Sequence, residues 1–154
     1  MTEDPRLHYS HIWMKDTRVP PVTEIEDIRR KYDAGQLDPL KSDLETFILR
    51  HRSDIGAVRV QEEARGVPFS DEAAIKIYIL RHRSISPQKD IQEQLGEIRK
   101  ETWIRGVQTG CPPDPEEVAM DWARIHSAAW RSHRLTTIIY VFERDKDRYL
   151  KLLR

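Results

Sequence analysis

Residues Ala74–Ser84 read AIKIYILRHRS, and how this stretch folds decides the architecture. Ile75, Ile77 and Ile79 alternate with Lys76, Tyr78 and Leu80. Alternation at period two with β-branched and aromatic residues predicts a strand over 73–83. Just upstream, IGAVRVQ (55–61) carries Val58 and Val60 in similar alternation and predicts a second strand. The connection, EEARGVPFSDE (62–72), holds the turn formers Gly66, Pro68, Ser70 and Asp71, so the two strands are expected to be antiparallel.

The end of this stretch, ILRHRS (79–84), also occurs at 48–53. There the preface is SDLETF, and Leu40, Leu44, Phe47 and Ile48 recur at helical spacing after Asp38-Pro39, a helix start. The first copy is therefore expected to close a helix and the second a strand. The rival reading is a duplication. The two copies lie 31 residues apart, and at that offset Gln61-Glu62 aligns with Gln92-Glu93. No third copy follows, and a helical array wants roughly three or more units.

Further elements follow outward. Thr23–Glu26 has the form of a capping box, with Ile25, Ile28 and Tyr32 along one helical face and Gly35 at the end. Ser86-Pro87 opens a helix with a stripe of Ile91, Leu95 and Ile98, expected to be buried. TWIRGVQTG (102–110) is short and β-rich and is expected to be a third strand, completing a β-α-β crossover. Asp114-Pro115 starts a long helix with Val118, Trp122, Ile125 and Ala129 inward. LTTIIYVF (135–142) reads both ways: its β-branched content suggests a strand, while its flanks, with Tyr149, Leu152 and Leu153 beyond, favour a helix. The expected fold class is α+β: a sheet of about three strands with packed helices, an N-terminal helix pair and a C-terminal helical hairpin, with all-α as the alternative. An extended arm over residues 1–22, with Pro5, Pro20 and Pro21, precedes a single domain over 23–154.

Composition bounds the function. The chain has 154 residues and no net charge, with 26 Lys+Arg against 26 Asp+Glu. Residues 1–70 carry −2 and residues 71–154 carry +2, so there is no basic half to steer the chain toward nucleic acid. One cysteine, Cys111, excludes an internal disulfide and suits a reducing, cytoplasmic compartment. The acidic, polar start MTEDPRLHYS is not expected to be a secretory signal, and no apolar run approaches a membrane span. Phosphate loops, dinucleotide fingerprints and the nucleophile elbow are absent, so no cofactor is expected and catalysis is disfavoured.

Five constellations remain. Arg50-His51-Arg52, Arg81-His82-Arg83 and Trp130 to Arg134 are basic. Arg50, Arg52, Arg81, Arg83, Arg131 and Arg134 could form a phosphate-binding patch, because the guanidinium fork suits phosphate. SPQKDIQEQLG (86–96) resembles the first helix and turn glycine of helix-turn-helix repressors, which implies a DNA-reading helix after Gly96. Glu97 stands where an apolar residue belongs, and EIRKETWIRG is short for a recognition helix. His8 with His11 and His126 with His133 do not reach a metal-ligand count, so no metal is expected. Cys111 has no nucleophile signature around it, though His126 and His133 would be its candidate bases. Finally, the arm carries Tyr9, His11 and Trp13 in HYSHIWM, a candidate anchor for a protein partner. The expectation is a non-catalytic intracellular module that binds another protein, or a second copy of itself. Nucleic-acid binding through the Arg-His-Arg clusters is the alternative.

Overall fold

The computed structural model describes residues 20–66 and 68–154. The arm expected over 1–22, with Tyr9, His11 and Trp13, lies outside them up to residue 19, as do His8 and Pro5. Among the described residues every regular element is helical, and there is no strand. The α+β expectation and its three-stranded sheet are overturned, and the fold is all-helical.

In chain order the elements are α1 (Val22–Asp33), α2 (Asp38–Arg50), α3 (Arg52–Ala64), α4 (Asp71–His82), α5 (Pro87–Thr109), α6 (Pro115–Asp121), a π-helical turn (Trp122–His126), α7 (Ser127–Arg144), α8 (Lys146–Leu150) and a 3₁₀ turn (Lys151–Leu153). Each expected strand lies inside a helix: 55–61 in α3, 73–83 in α4 and its cap, and 102–110 in the second half of α5.

Burial shows why. In α4 the buried apolar residues are Ala74, Ile75, Tyr78 and Ile79, at i, i+1, i+4 and i+5, while Ile77 is only half-buried. In α3 Ile55 and Val58 are buried at i, i+3, and Val60 is 66% exposed. The period that counts is 3.6, and the alternating isoleucines masked it. Local signals agree with the helix. The Ser70 hydroxyl accepts from the Ala73 amide, Asp71 and Glu72 occupy the first turn of α4, and Arg81 and His82 the last. Isoleucine is a poor helix former by only a few tenths of a kcal/mol, which burial of one side chain outweighs.

Other local details shift. Thr23 lies inside α1, which Pro21 precedes, so the capping box does not form. Gly35, at φ +78°, does end α1. Gly96 sits in the unbroken run of α5, so there is no turn there and the helix-turn-helix reading fails. The segment 135–142 is helical, within α7.

Two compact units share the chain. The first comprises the described residues up to Ile85 together with Leu135–Arg154. Its core unites Leu44, Phe47, Ile48, Ile55, Ile75, Ile79, Ile138, Ile139, Phe142 and Tyr149. Polar contacts tie its helices: Arg59 to Asp71 at 2.8 Å, Arg148 to Glu45 at 2.8 Å and Arg144 to Asp33 at 3.2 Å. Lys76, 3% exposed, is buried in this unit between Glu72, at 3.0 Å, and Glu143, with Lys146 completing the quartet.

The second unit, Ser86–Arg134, is a helical hairpin of α5 against α6, the π turn and the start of α7. Its turn is set by Gly110 at φ +73° and by Asp114, whose carboxylate caps α6 at the Glu116 amide, 3.0 Å. The two legs meet through polar contacts. Arg105 bonds Asp121 at 2.8 Å, the Trp122 indole donates to Gln94 at 3.2 Å, and Arg134 pairs with Glu93 and Asp90. The π turn inserts one extra residue into the second leg. Beyond it the inward face rotates by about 100°. Val118 is buried as expected, but Ile125, expected inward, is 55% exposed. Ala129 is exposed too, and Ser127, Trp130 and Arg134 are half-buried instead.

Candidate functional site

Two places carry side chains whose arrangement is more than core packing. The first is where the two ILRHRS copies meet. Both end helices. The first breaks α2 from α3 at His51, and the second closes α4 with Arg83 in a left-handed conformation, φ 62°. Their histidines come together, with the His51 and His82 rings 5.2 Å apart. Phe47 and Tyr78 complete an aromatic cluster, Tyr78 stacking 4.3 Å from His82 and Phe47 lying 4.7 Å from His51.

Hydrogen bonds orient the rings. The Tyr78 hydroxyl donates to the Asp54 carboxylate at 3.2 Å, so its oxygen is free to accept from His51 Nδ1–H at 3.0 Å. His82 Nδ1 donates to the Tyr78 carbonyl at 3.2 Å. Burial pushes the Tyr78 phenol up, and the nearby Asp54 carboxylate adds to the effect. Through its hydroxyl Tyr78 ties α4 to Asp54 at the start of α3.

The basic residues stand around it. Arg50, Arg52, Arg81 and Arg83 are all exposed in the first unit, on the two hexapeptides that converge. Arg81 lies 3.7 Å from Glu62. Arg131 and Arg134 belong to the second unit. Arg131 is exposed, whereas Arg134 is half-buried, ion-paired, and stacked 4.9 Å from the Trp130 ring. The remaining candidates do not assemble. Cys111 is exposed, and its sulfur lies 3.8 Å from the Thr109 carbonyl and 3.9 Å from the Thr109 hydroxyl. His126 stacks on Trp122 at 5.2 Å. Among the described residues no group of three ligating side chains is placed to hold a metal.

The second place is the hairpin surface. Ile91 is 59% exposed, Leu95 44%, Trp103 70% and Val107 63%. Of the stripe expected to be buried, Ile91 and Leu95 are exposed and Ile98 is half-buried, because the hairpin's own contact runs through Asp90, Glu93, Gln94 and Arg105 of α5. Ile91, Leu95, Arg99, Trp103 and Val107 follow one another at intervals of four, a single ridge along the helix. At its C-terminal end lies a shallow hollow of about 530 Å³, lined by Trp103, Gly106, Val107, Gly110, Cys111, Pro112 and Pro113 with Thr102. Met120 and Ile125 are exposed on the other leg. The sequence carried a signal for this surface, Trp103 and Val107 four residues apart, hidden by reading 102–110 as a strand.

The chain is thus an all-helical protein of two units, one with a core and one with an apolar exterior. No described helix is long and apolar enough to cross a membrane. Compared with known proteins, it matches no family model, no curated sequence and no solved structure.

Proposed function

We propose that this chain is a non-catalytic interaction module that binds another protein through its helical hairpin, Ser86–Arg134. One observation carries the reading. Of the nine large hydrophobic residues that stand exposed among the described ones, seven lie in the hairpin: Ile91, Leu95, Trp103, Ile104, Val107, Met120 and Ile125. The buried hydrophobic core, by contrast, lies in the first unit save for Val118. Apolar surface concentrated on one small unit is the mark of a docking site. Exposed Trp and Met side chains are enriched at interfaces. The ridge favours a helix as the docked element, since i, i+4 rows accept the ridges of another helix. We take the module to act in the cytoplasm, where a lone exposed cysteine stays reduced.

The test is selection from a library of displayed amphipathic helices against the immobilised full chain. Enrichment of helices that lose binding to the Trp103→Glu, Val107→Lys variant is the expected result. A library that enriches nothing, or binders indifferent to both changes, sinks the proposal.

A second reading is nucleic-acid binding by Arg50, Arg52, Arg81 and Arg83. What favours it is the convergence of the two hexapeptides on His51 and His82. Fluorescence polarisation with single- and double-stranded probes should then show binding that falls steeply with salt and weakens in Arg50→Ala, Arg81→Ala. No binding at low salt ends this reading.

A further inference from the structure

We propose that the junction of the two ILRHRS copies binds single-stranded nucleic acid, with the His82 ring as the platform for one base and the flanking arginines on the phosphates beside it. This rests on the second, nucleic-acid reading above and names the form of the ligand.

Charge is the first support. The chain is neutral as a whole, but the balance is broken here. Arg50 and Arg52 flank His51, and Arg81 and Arg83 flank His82. The two imidazoles are 5.2 Å apart. Neighbouring Cα atoms are about 3.8 Å apart, so the four side chains spring from a patch less than about 20 Å across. Among the described residues no carboxylate pairs with Arg50, Arg52 or Arg83, and all three are exposed. Elsewhere in the same unit Arg59, Arg144 and Arg148 each bond a carboxylate. Arg81 reaches Glu62 at 3.7 Å and shares it with Arg65. The carboxylate at the junction, Asp54, accepts from Tyr78. Guanidinium groups crowded in this way repel one another, and a run of phosphates relieves that with directed hydrogen bonds.

The platform is the second support. Tyr78 lies against the His82 ring, 4.3 Å away at 36°, and its carbonyl accepts from His82 Nδ1. Phe47 meets the same ring edge-on at 5.6 Å. The imidazole is thus held in place yet exposed. A base that stacks on it orders no mobile side chain, and stacking of this kind accepts any base. The third support is the form of the patch. A duplex reader lays the face of a helix along a groove. Here the arginines stand at helix ends, where α2 gives way to α3 and where α4 closes at Arg83. Such a patch suits a flexible strand whose bases can turn out toward a ring.

The experiment is fluorescence polarisation of the full chain with a labelled strand of mixed sequence, about ten nucleotides long, as RNA and as DNA, and with the same sequence as a duplex. Salt is varied from about 20 to 200 mM. The expected result is that a single strand binds at least about tenfold more tightly than the duplex. Its logarithmic salt slope should be about −3, as four arginines on the phosphates of a single strand give. His82→Ala should weaken single-strand binding about tenfold with the slope unchanged, and His82→Phe should retain it. Arg52→Gln with Arg83→Gln should weaken binding and bring the slope to about −1.5. These positions are exposed, so unchanged circular dichroism and melting will show that the fold survives. A duplex bound as well as the single strands overturns the proposal. So does single-strand binding that ignores His82→Ala, or that His82→Phe weakens equally. In those cases the nucleic-acid reading still stands on its arginines and only this inference fails. No binding of any probe at low salt ends both.

Discussion

Tyr149 shows what a single side chain decides here. It is fully buried beneath the C-terminal turn, 5.9 Å from the Phe142 ring, and its hydroxyl has no hydrogen-bond partner among the described residues. A buried unsatisfied hydroxyl costs about 1–3 kcal/mol. Tyr149→Phe should therefore stabilise the protein by about 1 kcal/mol in urea unfolding. Burial also pushes the phenol up to about 12. The unfolded chain loses this proton near 10 while the folded chain keeps it, so stability is complete below pH 10 and falls as pH rises toward about 12. The Phe variant should lose less stability over that range. Lys76 is the opposite case, a buried cation fully committed to Glu72 and Glu143. Burial works to raise the Glu72 carboxyl, but Lys76, with Lys146, wins and holds it below its ordinary 4.5. The stability Glu72 contributes is present above pH 4.5 and fades as pH falls through its lowered value, which an acid titration of the melting temperature will show. Lys76→Ala leaves Glu72 and Glu143 with Lys146 as their remaining cation and should cost about 1–3 kcal/mol in urea unfolding.

At the scale of the element, α4 carries one local strain. Arg83 closes it with a left-handed backbone, which a side chain adopts at a cost of about 1 kcal/mol. Arg83→Gly should raise stability by about 0.5–1 kcal/mol in a thermal melt. If Arg83 also holds phosphate, the same variant will bind a DNA or RNA probe less well, and the two readouts separate the roles. Elements were where the sequence misled most. AIKIYIL satisfies period two in its isoleucines and period 3.6 in Ala74, Ile75, Tyr78 and Ile79 at once. Seven residues cannot separate the two periods when nearly every position is apolar. The signals that could have done so were in the flanks, the Ser70 cap with Asp71-Glu72 and the closing Arg81-His82, which frame a helix and not a strand. The Gly96 reading failed for a different reason. Mid-helix glycine costs only about 1 kcal/mol, so long helices tolerate it without a turn.

Across the whole molecule, the two units differ in what holds them. The first is held by a continuous apolar core, the hairpin by polar contacts between its legs, and α5 has no buried residue. Amide exchange should accordingly be faster along α5 than along α2 or α4, since local opening exposes less apolar surface there. Protection of α5 equal to that of α4 at low concentration would contradict this.

By itself the sequence determined the helices whose stripes were clean and whose caps were explicit. These are α2 behind Asp38-Pro39, the start of α5 at Ser86-Pro87 and α6 behind Asp114-Pro115; for 135–142 only the flanks favoured a helix. It also determined the absence of a charge bias, and that the two Arg-His-Arg hexapeptides were worth following. Only the tertiary structure decided the rest. It brought His51 and His82 together, although 31 residues part them, because α2 and α4 share one core. It left the ridge of α5 in solvent and turned Ile125 outward after a π turn. The reason is the same in each case. A pattern of apolar residues states that a face seeks a partner, but whether that partner is the chain itself or another molecule depends on which faces the fold has already used.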